Sequence, residues 1–132
     1  MACHRLVFVA LCGGLNQMRR IEVKKISCVD LFCGAGGLTH GFVLEGLSVV
    51  AGIDLDPACR FPYEANNQAQ FLERDISKDT ASELNDLFGD AELTILAGCA
   101  PCQPFSTYAQ RYELDGKDGK WRLLYEFARL AE

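Results

Sequence analysis

Ile26-Ser27-Cys28-Val29-Asp30-Leu31-Phe32-Cys33-Gly34-Ala35-Gly36-Gly37 is the stretch that decides the fold. Residues 26 to 31 form a short apolar run rich in β-branched and small residues, and Cys33 to Gly37 is Gly-rich, so a strand feeding a tight turn is expected. Downstream, apolar residues recur at Leu38, Phe42 and Leu44 with Gly46 near the end, which predicts a helix closed by a C-terminal glycine. Leu47-Ser48-Val49-Val50-Ala51-Gly52-Ile53 reads as a second buried strand stopping at Asp54, and a further helix starts near Pro57.

The alternation continues along the chain. Phe71-Leu72-Glu73-Arg74 is a brief third strand. Thr80 to Phe88 has helical spacing, with Thr80 and Glu83 in the capping-box pattern. Leu93 to Gly98 is a fourth strand, Arg111 to Lys120 reads as a mobile loop, and Trp121 to Glu132 opens a last helix. Strands alternating with helices imply a parallel α/β sheet with right-handed crossovers. Ligands of such sheets bind at the carboxyl ends of the strands. Three of the four strand ends carry a polar or Gly-rich cluster: Asp30 to Gly37, Asp54 to Asp56, and Gly98 to Ser106.

Composition narrows the function. The 132 residues suffice for one core, and 49% hydrophobic against 23% charged residues is ordinary globular usage. A formal net charge of −5 excludes a compact basic module that binds nucleic acid through its overall field, so any DNA contact must be local or supplied elsewhere. The seven cysteines are odd in number and most sit in apolar or Gly-rich runs, which reads as reduced thiols. Cys99 and Cys102 form a Cys-x-x-Cys pair, but a structural zinc site would need a second pair, and none exists. Arg5 and the apolar run Leu6 to Cys12 mimic a signal peptide weakly; the run is too short to span a bilayer. Residues 1–17 are therefore expected to be a disordered or upstream extension, with the fold in residues 18–132.

Gly34, Gly36 and Gly37 permit a turn where backbone approaches a ligand closely, ahead of a helix N-terminus. The match to the dinucleotide fingerprint is partial, because Thr39 stands where its third glycine would be. Asp54 lies about 20 residues beyond Gly34, the separation at which an acid accepts hydrogen bonds from ribose hydroxyls. No phosphate-binding loop is present, so a nucleoside ligand without phosphates is favoured, and S-adenosylmethionine fits. Asp56, just before Pro57, either caps the next helix or joins the site. Asp75 is positioned to meet an adenine edge or serves as a solvated turn residue. In Ala97-Gly98-Cys99-Ala100-Pro101-Cys102-Gln103-Pro104-Phe105-Ser106, two prolines stiffen a loop that displays Cys102 past a strand end, as suits a nucleophile. Cys28, Cys59 and Cys99 read instead as packed thiols.

On these residues the chain resembles the cytosine-C5 DNA methyltransferases. Asp30-Leu31-Phe32-Cys33-Gly34-Ala35-Gly36-Gly37 matches their cofactor motif and Pro101-Cys102-Gln103-Pro104-Phe105-Ser106 their nucleophile motif, with Gly52-Ile53-Asp54-Leu55-Asp56 and Arg74-Asp75-Ile76 between. The resemblance covers about residues 26 to 132 and implies a Rossmann-like S-adenosylmethionine-dependent methyltransferase fold, incomplete, with about four strands of the full sheet. It implies that Phe32 packs on the adenine, Asp54 holds the ribose, Asp75 meets the adenine amino group, and Cys102 is the nucleophile. Gly34, Gly36, Gly37 and Leu123 complete the implied cofactor set. Methyl transfer to C5 of a cytosine flipped out of double-stranded DNA is the implied activity. A cytoplasmic restriction-modification setting without membrane contact goes with it.

The family's Glu-Asn-Val and Gln-x-Arg-x-Arg segments do not occur in this sequence. The chain is accordingly expected to be a truncated reading frame or half of a split enzyme completed by a second polypeptide, inactive alone. The family's sheet order would leave Leu93 to Leu96 as an unpaired edge. A transfer-RNA cytosine-C5 methyltransferase shares both motifs; a non-catalytic remnant would lack activity even when complemented; a nicotinamide-dependent enzyme leaves Pro101 to Ser106 unexplained.

Overall fold

The computed structural model describes residues 4–7, 25–100 and 117–132. In chain order the elements are β1 (His4–Val7), β2 (Ile26–Leu31), α1 (Gly37–Leu44), β3 (Val49–Asp54), a 3-10 turn at Pro57–Cys59 running into α2 (Arg60–Asn66), β4 (Gln70–Glu73), α3 (Ala81–Phe88), β5 (Leu93–Gly98) and α4 (Lys117–Ala131). The strands form one sheet in the order β1-β5-β2-β3-β4, and every pairing is parallel.

Covering the sheet on both faces explains why β2 and β5 are almost wholly buried. Alternation divides the core. Val29 and Leu31 point to one face, where Leu84 and Phe88 of α3 and Phe127 and Leu130 of α4 meet them. Cys28 points to the other, against Leu38 and Phe42 of α1. Tyr63 of α2 and Phe71 of β4 pack with Cys33 in a third cluster, their rings edge to face at 5.8 Å.

Local chemistry sets the helix ends. Gly46, at φ 79°, closes α1: its N–H donates to the Val43 carbonyl (3.0 Å) and the Leu47 N–H to that of Phe42 (2.9 Å), the Schellman arrangement. Thr80 caps α3 through a complete capping box with Glu83. Thr80→Ala should therefore lower stability by about 1 kcal/mol, read as a fall in denaturant midpoint at unchanged slope. At α4, Arg129 donates to the carbonyls of Ile76 (3.1 Å) and Asp79 (2.9 Å), fastening the helix to the β4–α3 turn.

The four strands read from the sequence are all present, and a fifth joins them. Within the segment 1–17, the described residues His4–Val7 form β1, whose register against β5 runs from His4↔Leu93 to Val7↔Leu96. The expected bare edge at Leu93 to Leu96 is therefore covered. An edge strand offers a row of unpaired backbone groups, and an extended segment from elsewhere in the chain satisfies them. Lys117–Lys120, expected to belong to the preceding loop, instead form the first turn of α4. Among the described residues no helix is long and apolar enough to cross a membrane.

Candidate cofactor site

The carboxyl ends of β2, β3 and β5 lie side by side, because Leu31 pairs with Ile53 and with Gly98. Three sequence clusters thus start from one rim. The contact is tight: a Cβ on Gly98 would lie 2.5 Å from the Leu31 carbonyl oxygen.

Past Leu31 the backbone turns sharply. Phe32 adopts φ 57°, the only non-glycine residue with positive φ among the described residues, and Gly34 and Gly36 follow at 51° and 91°. A bulky side chain in the left-handed region is strained, and such strain persists where surrounding contacts over-determine it. Here Cys33 N–H donates to the Ile53 carbonyl (3.2 Å) and Gly36 N–H to that of Cys33 (2.8 Å). The Gly34 N–H donates to Asp54 Oδ2 at 2.9 Å, tying the turn to the acid at the end of β3.

Asp54 also accepts the Asp56 N–H on Oδ1 (3.0 Å). A carboxylate has about four lone-pair directions, so two acceptor positions remain on this half-buried group, enough for the two hydroxyls of a ribose. A Cβ on Gly34 or Gly37 would meet no atom of the other described residues within 4 Å. Among the described residues, packing thus leaves open space on that side of the turn, and these residues fit a nucleoside ligand approaching the backbone closely.

Asp56 caps the 3-10 turn, its Oδ1 accepting the Ala58 N–H at 2.9 Å, which accounts for its position without a ligand. Asp75 accepts from the Ser77 hydroxyl (2.7 Å) and N–H (3.1 Å) on Oδ1, and its Oδ2 lies 3.8 Å from Lys78 Nζ. The Ser77 bonds, with Lys78 and Arg122 adding charge, hold its carboxyl below the usual range. Arg122 belongs to α4, so the first half of that helix comes near the end of β4, and half-buried Leu123 follows it. Cys102 lies outside the described residues.

Beneath the turn is a group that the sequence reading passed over. Asp30, Thr39 and Tyr63 are buried together. Thr39 Oγ1 donates to Asp30 Oδ2 (2.7 Å) and lies 3.1 Å from Tyr63 Oη. Burial pushes the Asp30 carboxyl up to about 6, against the lowering effect of the Thr39 bonds, with Asp54 adding to the rise. Burial likewise pushes the Cys28 thiol up to about 11, which leaves it protonated and unreactive at neutral pH. The one available signal was Thr39 in place of the fingerprint's third glycine.

A doubly wound parallel sheet whose first central strand ends in a strained Gly-rich turn, pinned to an acid on the next strand, defines a Rossmann-like methyltransferase domain. Residues 26–132 match the C-5 cytosine-specific DNA methylases, and the chain belongs to that family. It is 52% identical over 102 residues to the type II methylase M.HgiDII of Herpetosiphon aurantiacus, covering 77% of this chain and 28% of the relative. It is 33% identical over 105 residues to the type II methyltransferase M.XorII of Xanthomonas oryzae, covering 77% and 24%. The chain thus spans about a quarter of the length of these relatives. In fold it is similar to a structure described as a prophage-encoded DNA modification methyltransferase (E. coli), with TM-score 0.59 and 24% identity over 80% of this chain and 28% of the other.

Proposed function

We propose that the protein is the cofactor-binding and nucleophile-bearing part of a DNA cytosine-C5 methyltransferase that uses S-adenosylmethionine. The observation that carries this reading is the 2.9 Å bond from Gly34 N–H to Asp54, which joins a Gly-rich turn and a ribose-accepting acid across adjacent strand ends. Phe32, Gly34, Gly36, Gly37, Asp54, Asp75 and Leu123 would hold the cofactor, with Asp54 accepting from the ribose hydroxyls and the open faces of Gly34 and Gly37 admitting the ligand against the backbone. When bound, the cofactor supplies a methyl group on an electron-poor sulfonium.

Cys102 is the nucleophile. Cytosine C5 reacts poorly with electrophiles until a thiolate adds to C6, which places electron density on C5. After C5 is methylated, loss of its proton returns the electron pair, and the C6–S bond breaks to release the thiolate. The target base must leave the duplex for this to happen. Double-stranded DNA is the substrate of this reading, and a type II restriction-modification setting is supported by the named relatives. Residues outside this sequence, from the remainder of a catalytic domain or a second polypeptide, would support N3 of the base.

Calorimetric titration with S-adenosylhomocysteine should give saturable binding where NADH and ATP give none; the reverse order would overturn the cofactor assignment. Asp54→Ala should weaken that binding at least about tenfold, since it removes charged hydrogen bonds to both ligand and turn. Labelled methyl transfer, assayed on duplex DNA and on transfer RNA in an enzyme carrying the full catalytic domain, should favour DNA; transfer only to RNA would decide for the other substrate.

A further inference from the structure

We propose that Thr39 and Tyr63 are positioning residues of the cofactor site: their hydroxyls, linked to Asp30 beneath the turn, hold the Gly-rich segment against the end of β3. The inference rests on the cofactor-binding reading above and adds two residues to it, neither of which faces the ligand.

The three side chains come from three elements, Asp30 from β2, Thr39 from α1 and Tyr63 from α2, and each is at most 1% exposed. Proton counting gives the chain a direction. An ionised carboxylate only accepts, so the single Thr39 hydroxyl proton goes to Asp30 Oδ2. The 3.1 Å contact between Thr39 Oγ1 and Tyr63 Oη must then be a donation from tyrosine to threonine. The result is an ordered relay, Tyr63 to Thr39 to Asp30, in which each bond polarises the next. Gly36, the N-cap of α1, has no side chain to hold the start of the helix, and the Thr39–Asp30 bond ties its first turn to β2.

The tyrosine ring carries the relay's order into the site. A Cβ on Gly52 would lie 2.4 Å from Tyr63 Cζ, and one on Gly36 would lie 2.8 Å from its Cδ2. The ring is therefore seated between β3, two residues before Asp54, and the turn itself. From the same helix end, Asn67 Nδ2 donates to the carbonyls of Tyr63 (3.0 Å) and Gly36 (3.4 Å). Rotation of the ring would disturb the spacing between Gly36 and Gly52, and with it the alignment of Gly34 and Asp54. A valine and a phenylalanine would fill the same space without polar atoms, so packing alone does not account for the hydroxyls.

The relay is also sensitive to pH. Protonation of Asp30 removes the charge that orders it. The groups around this carboxyl are Asp54 from β3, Tyr63 from α2, and Cys28 and Cys33 from β2 and the turn. Tyr63 and both thiols are pushed upward by burial, so they stay protonated through the range in which Asp30 titrates.

The test is calorimetry with S-adenosylhomocysteine on Thr39→Val, Thr39→Ser and Tyr63→Phe, at a temperature where circular dichroism shows each fully folded. Thr39→Val should weaken binding about tenfold and Tyr63→Phe about fivefold, the scale of one or two hydrogen bonds. Thr39→Ser should restore affinity to within about twofold. Wild-type affinity should fall as pH drops through about 6, and in Thr39→Val that midpoint should move upward, because the hydroxyl bond that helps keep Asp30 ionised is gone. Unchanged affinities and an unshifted pH profile in folded variants would overturn the inference and leave the relay a packing feature. So would a serine variant as weak as valine. Should Thr39→Val fail to fold, Tyr63→Phe and Thr39→Ser decide by the same criteria. Failure of the wild type to bind S-adenosylhomocysteine at all would instead sink the cofactor reading on which this rests.

Discussion

Cys102→Ala is expected to reduce methyl transfer to DNA by at least about a thousandfold while leaving affinity for S-adenosylhomocysteine within about twofold of wild type. The size of the effect follows from the role proposed for the thiolate: without addition at C6 the target carbon never gains the electron density needed to attack the methyl group. The selectivity follows from geometry. Leu31 and Gly98 are register partners, so the segment beginning at Cys99 leaves the sheet next to Phe32, where the cofactor turn begins. The cofactor turn and the segment that carries Cys102 follow neighbouring strand ends and comprise different residues. Assays should pair labelled methyl incorporation with calorimetry, and trapping on DNA containing 5-fluorocytosine should disappear in the variant. Loss of cofactor binding together with transfer would count against Cys102 as nucleophile and make it part of the turn's support.

The elements that could be read in advance are those whose signals are local. The burial of β2 and β5 on both faces writes itself as continuous apolar runs, and the α3 boundary is carried by Thr80 and Glu83, three residues apart. Strand ends bearing Asp30 to Gly37 and Asp54 to Asp56 advertised the rim for the same reason. What escaped depends on contacts remote in sequence. His4–Val7 joins the sheet against residues about ninety positions away, and nothing in the tetrapeptide His-Arg-Leu-Val names that partner. Tyr63 reads as one more helical aromatic until its ring is found between Gly36 and Gly52. Asp56 was undecidable from spacing, since a cap and a ligand ask for the same side chain; its bond to the Ala58 N–H is visible only in three dimensions. Phe32 was picked out for its ring, yet its backbone at φ 57° is the more unusual property, and no propensity marks a bulky residue for that conformation.

Gly36→Ala should cost roughly 3 kcal/mol or more of folding stability, a large share of the 5–15 kcal/mol typical of a domain. Two independent penalties combine. At φ 91° a side chain is strained, worth about 1–2 kcal/mol. The new Cβ would also lie 2.3 Å from Asn67 Nδ2 and 2.8 Å from Tyr63 Cδ2, and Tyr63 is fully buried with nowhere to retreat, so overpacking adds about 1–3 kcal/mol. The neighbouring glycines separate the causes. Gly34 has positive φ but, among the described residues, open space where its Cβ would go, so Gly34→Ala should show the strain alone, about 1 kcal/mol in thermal or denaturant unfolding. Gly37 begins α1 with neither positive φ nor, among the described residues, a near neighbour for a Cβ, and Gly37→Ala should leave stability unchanged or slightly raised. Any loss of S-adenosylhomocysteine affinity in that last variant cannot come from the fold, so it would report space that the ligand itself requires. Equal stabilities for all three variants would mean that the ring of Tyr63 does not constrain the turn.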